Sequence, residues 1–191
     1  MNSIYSENLS FVISNTHVGQ TFTIRYGERL CDALVLEETN EGKIVQILLP
    51  IYCSFDTKTN SWKKSDIRKW LNSDKFLKEF DESFLNHVKE TEVHTEDYET
   101  KDKFWLLSHE EVGYENKYRV FKPNKNTRKF DYFDGSDEKR HISFNGKKHY
   151  WWLRSSNSDY PFFVGYVGIG GYVGDSLYYD CSAVFPACLI R

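Results

Sequence analysis

The sequence is poor in the residues that mark disordered, fibrous or disulfide-rich chains. Its 191 residues include only 4 prolines, 11 glycines and 4 cysteines. The low proline and glycine content excludes collagen-like and low-complexity classes. Apolar residues make up 40% of the chain and charged residues 28%, a composition that is typical of a globular protein. The length is close to the usual range for one domain and allows a substantial core. We therefore expect a single domain over residues 1–191.

The cysteines do not show the paired CxxC spacing of zinc sites and redox motifs. They are Cys31, Cys53, Cys181 and Cys188. Each lies in an apolar stretch, where a buried free thiol is the ordinary expectation.

Long apolar runs and a large net charge are also absent. No run of about 18 apolar residues occurs, and the N-terminus lacks the cationic and apolar regions of a signal peptide. With 25 basic against 28 acidic residues, the net charge of −3 provides no field that would attract nucleic acid or an anionic membrane. We expect a cytoplasmic protein, or one carried by a phage or other particle, with no nucleic-acid or membrane partner. The sequence leaves the oligomeric state open.

Aromatic residues, in contrast, are abundant: 13 Tyr, 14 Phe and 5 Trp make up 17% of the chain. Their rings bury large apolar faces, and Tyr and Trp also carry a polar group, so they suit both cores and recognition surfaces.

Residues 1–55 show the alternation of apolar and polar side chains that is typical of strands. Asn40, Glu41 and Gly42 form a hairpin signal. We predict strands at residues 11–13, 20–26, 33–37 and 44–52. They are expected to form an antiparallel sheet with one packed face.

Residues 62–112 are predicted to form a helical part. Trp62, Ile67 and Trp70 fall at helical spacing, and Ser65 is placed to cap a short helix. Apolar residues between 76 and 88 predict a second helix with a break near Asp81.

Further along, residues 103–107 predict a short apolar strand. Ser108 and Glu111 then have the spacing of a capping box, which predicts another short helix. Residues 114–149 are predicted to be a long irregular insertion. Residues 150–191, rich in Gly and Tyr, predict short strands joined by tight turns.

Four segments in a fixed order carry a family resemblance. They are Trp-x-x-Ser-x-Ile-Arg-x-Trp-Leu-Asn at 62–72, Lys-Asp-Lys-Phe-x-Leu-Leu-Ser-x-Glu-Glu-Val at 101–112, Trp-Trp-Leu-Arg-Ser at 151–155 and Val-Phe-Pro-Ala at 184–187. Over about residues 20–191 the chain resembles a bacterial family of domains of unknown function that is common in low-GC Gram-positive genomes and their phages. Phe185 stands where that family usually has Arg, so this position lacks the charge for an ionic contact.

The resemblance implies a fold class. It is an α+β, C-type-lectin-like fold, similar to those of formylglycine-generating enzymes and of variable proteins diversified by retroelements. We therefore expect antiparallel sheets, two or three short helices and long irregular loops.

Residues 155–182 carry the best functional signal. They are rich in Tyr, Ser, Gly, Asn and Asp, which is the composition of antibody paratopes, and the resemblance implies that the same stretch bears ligand-facing residues in the retroelement-diversified proteins. The predicted ligand-binding residues are Asn157, Asp159, Tyr160, Tyr166, Tyr172, Asp175, Tyr178 and Tyr179. We predict a binding module for a protein or glycan ligand. The alternative is a glycine-rich hairpin, turning at residues 169–171, whose tyrosines only cover the sheet.

Other conspicuous residues favour structural roles. Trp151 and Trp152 are adjacent, so in a strand they point to opposite faces, and both are predicted to be structural. Arg154 is expected in a buried ion pair, and Arg68 is expected to pack its stem and bond to backbone carbonyls.

The sequence contains no complete metal or cofactor motif. Asp131, Asp134 and Asp137 miss the spacing of a calcium loop, the six histidines form no zinc motif, and the glycines of 168–174 lack the dinucleotide spacing. We predict no cofactor, no metal and no catalytic residue. Two alternatives stay open: an oxidoreductase of the formylglycine-generating type that uses Cys181 or Cys188, and a structural component of a phage or surface particle.

Overall fold

A computed structural model describes residues 2–95, 98–124 and 126–191, with side chains from residue 8 onward. The helices are α1 (Asn2–Asn15), α2 (Asp66–Leu71), α3 (Asp74–Leu77), α4 (Glu82–Leu85) and α5 (Asp137–Arg140), and a 3-10 turn spans Trp62–Lys64. The strands are β1 (Thr21–Tyr26), β2 (Arg29–Thr39), β3 (Gly42–Leu48), β4 (Ile51–Ser54), β5 (Val88–Lys89), β6 (Thr91–His94), β7 (Glu99–Asp102), β8 (Ile142–Phe144), β9 (Lys147–His149), β10 (Trp151–Ser156), β11 (Phe163–Val167), β12 (Val173–Leu177), β13 (Cys181–Val184) and β14 (Ala187–Ile190). The chain is therefore an α+β protein, as predicted. Within these residues, no helix is long and apolar enough to cross a membrane.

The first sheet has the strand order β1-β2-β3-β14-β5, and all of its neighbours are antiparallel. The predicted hairpin between β2 and β3 is confirmed, with Thr39 opposite Gly42. Gly42 has a φ of +146°, and a Cβ atom there would lie 2.1 Å from the carbonyl oxygen of Ile190. This turn therefore requires glycine because β14 passes directly beside it.

The second sheet has the order β12-β11-β10-β13-β4. Its pairs are antiparallel except for β10 and β13, which are parallel. Two separate hairpins, β6-β7 and β8-β9, complete the strands. The prediction of antiparallel sheets thus holds for all but one of these pairings.

Two strand predictions near the N-terminus are corrected. Residues 11–13 belong to α1 rather than to a strand; Phe11 is exposed and Ile13 is buried, whereas strand residues two apart would face the same side. The predicted strand at 44–52 is two strands, β3 and β4, in different sheets. Pro50 lies between them, and its missing N–H and fixed φ interrupt a ladder.

The predicted helical part, residues 62–112, is helical only in its first half. The Ser65 hydroxyl accepts a hydrogen bond from the Arg68 amide and caps α2, and the helix predicted over 76–88 is broken into α3 and α4 near Asp81; both features were predicted. The second half contains β5, β6 and β7 instead.

The segment from 103 to 113 differs from the prediction. Residues 103–107 form no strand but a single bridge, in which Trp105 and Ala187 exchange backbone hydrogen bonds of 3.0 and 2.7 Å. The capping-box bonds between Ser108 and Glu111 are present at 2.9 and 3.2 Å, yet a turn follows rather than a helix. The insertion at 114–149 is irregular as predicted, apart from α5 and the β8-β9 hairpin.

Aromatic rings fill the core between these elements. Trp62, Trp151 and Trp152 are fully buried, so both adjacent tryptophans are structural, as predicted. The indole of Trp151 donates to the Arg140 carbonyl and that of Trp152 to the Cys53 carbonyl. The second sheet is therefore fixed from both faces at β10.

Candidate functional site: an aromatic surface on the second sheet

Exposed apolar side chains are concentrated in the C-terminal part of the described chain. Six of the eleven large exposed apolar residues lie between positions 150 and 179. They are Tyr150, Tyr160, Phe162, Ile169, Tyr172 and Tyr179. This segment is less than a fifth of the sequence, so the enrichment marks β10 to β13 and their loops as the candidate surface.

Three tyrosines, Tyr150, Tyr166 and Tyr172, form a continuous group that we name the tyrosine row. The ring centroids of Tyr150 and Tyr166 are 5.8 Å apart, and those of Tyr166 and Tyr172 are 6.0 Å apart in an edge-to-face arrangement. The hydroxyl oxygens of Tyr166 and Tyr172 lie 3.3 Å apart. Burial and this hydrogen bond raise the pKa of Tyr166, so its hydroxyl stays protonated.

Glycines allow the rings of the tyrosine row to lie on the sheet. Tyr166 stands opposite Gly174, and a Cβ atom at Gly174 would lie 3.3 Å from the Tyr166 ring. A Cβ atom at Gly168 would lie 2.3 Å from the ring of Tyr172. The repeated Gly-Tyr-Val-Gly sequence therefore has a structural reason: small residues leave space for the neighbouring rings.

A second group, which we name the loop patch, consists of Tyr160, Phe162 and Tyr179 at the surface. Tyr178 packs behind it, with its ring centroid 6.2 Å from Phe162 and 5.6 Å from Tyr179. Tyr178 is only 7% exposed. The expectation that its ring faces outward is therefore corrected: it belongs to the core and supports the patch.

The predicted polar contacts hold the loop in shape. The side-chain oxygen of Asn157 accepts from the amides of Asp159 and Tyr160 at 2.8 and 2.9 Å, and its amide group donates to Asp175. Asn157 is buried and Asp159 is exposed. Asn157 is thus a positioning residue for the loop patch, while Asp159 is free to meet a ligand.

The strand β12 forms an open edge of the second sheet beside the tyrosine row. On the side that faces β11, the Tyr172 carbonyl accepts a hydrogen bond from the Gly168 amide. The Tyr178 amide donates to the Phe162 carbonyl on the same side. Backbone groups of alternate residues point to opposite sides of a strand, so those of Val173 and Asp175 point to the open edge. Neither residue bonds there to another described residue.

Sequence reasoning missed Tyr150 and Phe162. Tyr150 is two residues before Trp152, and Trp152 stands opposite Tyr166 on the neighbouring strand. Since alternate residues of a strand share a face, this spacing could have placed Tyr150 on the sheet face that carries Tyr166. Phe162 gave no such signal, because phenylalanine is ordinarily expected to be buried.

The two predicted arginine roles are structural. Arg154 forms the expected buried ion pair, with Glu111. Arg68 contacts the Lys63 carbonyl as expected and also pairs with the buried carboxylate of Asp102, 2.8 Å from its Nε.

The four cysteines are divided between the two sheets: Cys31 and Cys188 lie in the first, and Cys53 and Cys181 lie on the neighbouring strands β4 and β13 of the second. Cys188 is fully buried in β14, where burial raises its pKa, and Cys181 is exposed on β13; the expectation that every thiol is buried is therefore corrected for Cys181. Burial also raises the pKa of Cys31 and of Cys53 to about 11. A thiolate nucleophile is disfavoured at these three positions.

In the described part of the chain, no three His, Cys, Asp or Glu side chains are grouped to hold a metal ion.

The fold and this surface define an α+β domain with an exposed aromatic face. Residues 44–191 match the model of a family described as a domain of unknown function, DUF6273. Since the match covers more than half of the sequence, the chain belongs to this family. No significant match to a curated protein or to a solved structure was found.

Proposed function

We propose that this protein is a binding module that holds an extended segment of a partner protein along β12, with the tyrosine row as its anchor. The observation that carries the proposal is the position of Tyr166 and Tyr172 directly beside an unpaired sheet edge. We propose further that the fold is C-type-lectin-like, in keeping with the sequence motifs; an experimental structure compared with C-type lectin domains tests that assignment.

The chemistry of the surface supports an extended peptide as the ligand. Unpaired N–H and C=O groups on an edge strand can extend the sheet by one strand from another chain, and the neighbouring side chains then select the sequence. Tyrosine supplies a large contact area at low entropic cost and a hydroxyl for hydrogen bonds. The tyrosine row and the open edge thus provide the two components of strand addition.

The proposal is tested by selecting binders from a displayed library of random peptides and measuring their affinity for the double variant Tyr150→Ser, Tyr172→Ser. Loss of two anchors is expected to weaken binding by about tenfold or more. Tyr118→Ser is the matched control, because Tyr118 is 88% exposed and lies outside the surface. A melting temperature close to that of the unchanged protein shows that the double variant is folded. If the double variant does not fold, the single variant Tyr150→Ser is measured in its place.

Strand addition also requires that the selected peptides donate backbone hydrogen bonds to β12. N-methylation of alternate backbone amides is expected to abolish binding, because it removes donors to the β12 edge. Peptides that bind equally well when methylated, or that bind the double variant unchanged, contradict the proposal. An array of microbial glycans is probed in parallel: glycan binding that depends on the same tyrosines, without peptide binding, would identify a carbohydrate-binding module instead.

A further inference from the structure

A cleft of about 290 Å³ lies on the first sheet, away from the residues of the aromatic surface. Its walls come from the β2-β3 turn, from β6 and from residues 126–130. It shares no lining residue with the tyrosine row, the loop patch or β12. Ligand pockets usually occupy roughly 300–1,000 Å³, so this cleft suits a fragment-sized molecule.

The floor of the cleft is apolar and aromatic. It is formed by Ile44, Val93, Trp105, Phe130 and Leu189. Ile44 and Leu189 stand directly opposite each other on β3 and β14, so their side chains share one face of the sheet. An apolar group of a ligand can be buried against this floor.

Negative charge predominates around the opening. Glu41 and Glu92 are exposed lining residues, and neither forms an ion pair with another residue in the described ranges. The one lining guanidinium, Arg128, is already paired with Glu37 and lies 3.7 Å from Asp131. The open cleft therefore offers uncompensated carboxylates rather than a free cation.

A buried carboxyl group behind the wall strengthens this asymmetry. Glu37 is 3% exposed and stands opposite Ile44, on the same sheet face as the floor. Arg128 donates to one of its oxygens, and the other, Oε2, has no hydrogen-bond partner among the described residues. Glu37 does not line the cleft; its carboxylate acts there by pairing with Arg128, and so it offsets the charge of the one lining guanidinium. Burial raises the pKa of Glu37, and the charge of Arg128 opposes this shift.

From the apolar floor and the uncompensated carboxylates of Glu41 and Glu92, we propose that this cleft binds a small organic ammonium ion. The hydrocarbon part of the ligand lies on Ile44, Trp105 and Leu189, and its ammonium group faces Glu41 and Glu92. The ligand class is an alkylamine or arylalkylamine.

The probe is phenethylamine, titrated into the full chain by calorimetry while NMR follows the indole resonance of Trp105. Two analogues of similar shape are the comparison ligands: phenethyl alcohol is neutral and hydrocinnamate is anionic. Saturable binding of the amine, with a shifted Trp105 resonance and weaker binding of both analogues, is expected. Equal binding of the alcohol overturns the proposal because charge would play no part. Preference for hydrocinnamate also overturns it and would make Arg128 the recognition group.

The variants Glu41→Gln and Glu92→Gln locate the binding. Each is expected to weaken amine affinity about two- to fivefold, as removal of one exposed charge does. Glu138→Gln is the control, since Glu138 is an exposed residue of α5 outside the cleft. Unchanged affinity in the double variant Glu41→Gln, Glu92→Gln contradicts the proposed site. Tyr172→Ser is expected to leave amine binding intact, so failure here is distinguishable from failure of the peptide-binding proposal.

Discussion

Arg154 donates to both carboxylate oxygens of Glu111, at 2.5 and 2.7 Å, in the interior of the protein. The same guanidinium reaches the Leu106 carbonyl at 2.7 Å and the His94 carbonyl at 3.2 Å. Glu111 in turn accepts from the Ser108 amide. One ion pair thus ties β10 of the second sheet to the turn at 108–113 and to β6.

Removal of the carboxylate of this pair should be strongly destabilising. We expect Glu111→Ala to lower the free energy of unfolding by about 3–5 kcal/mol, because Arg154 would then be a buried charge without its counter-ion. Urea denaturation measures the change, with Glu138→Ala as the surface control. A loss below about 1 kcal/mol would show that water or another group compensates Arg154.

The imidazole of His109 should stay neutral at pH values where a histidine is ordinarily charged. Burial lowers the pKa of His109 to about 4, the nearby charge of Arg154 acts in the same direction, and Glu110 opposes them. Between pH 4 and about 6.5 the unfolded chain binds a proton that the folded chain does not, so this residue makes stability fall as the pH drops through that window. An NMR titration of the ring resonances checks this expectation; a midpoint near 6.5 would contradict it.

Only one thiol should react rapidly with a disulfide reagent in the native protein. Cys181 is exposed, whereas Cys31 and Cys188 are buried and Cys53 is partly buried with a raised pKa. Burial and a high pKa both slow attack by a thiol. The variant Cys181→Ser should therefore remove the fast phase of modification. A fast phase that persists in this variant would mean that an interior cysteine is accessible.

Two glycines with positive φ should differ sharply when changed to alanine. Gly42→Ala brings a Cβ atom to 2.1 Å from the Ile190 carbonyl, while at Gly146, with a φ of +74°, nothing lies within 4 Å. We expect Gly146→Ala to cost about 1–2 kcal/mol from backbone strain alone and Gly42→Ala to cost clearly more. Thermal denaturation of the two variants compares them directly. Equal losses would mean that β14 moves away from the turn without cost.

Local signals in the sequence predicted local structure well. The Ser65 cap, the break near Asp81, the β2-β3 hairpin and the ion-pair role of Arg154 each depend on residue types or on short-range spacing. The exposed position of Phe11 could not be read in this way, because a three-residue apolar stretch fits a strand as well as a helix. Residues 103–107 have the composition of a strand, but their backbone bonds go to different partners: Trp105 pairs with the distant Ala187, and the Leu107 carbonyl accepts from the Arg154 amide.

The candidate surface was predictable in composition but not in geometry. The tyrosines of 155–182 were identified from their neighbours Ser, Gly and Asn, and Tyr166 and Tyr172 do meet. Tyr178 is buried, and its carbonyl accepts a hydrogen bond from the distant Asp56 amide, a contact that no local pattern encodes. The cleft was not predicted at all, since Ile44, Trp105 and Leu189 come together only because β14 pairs with β3 and bridges to Trp105.

The placement of β14 between β3 and β5 has a consequence for synthesis on the ribosome. The side-chain amide of Gln46 donates to the Phe185 carbonyl across 139 positions of the chain, and contacts of such separation slow folding. Until β14 has left the exit tunnel, β3 and β5 each present an unsatisfied border that can pair with other nascent chains. Completion of the first sheet is therefore expected to wait for the synthesis of β14, which closes a gap between two strands made much earlier.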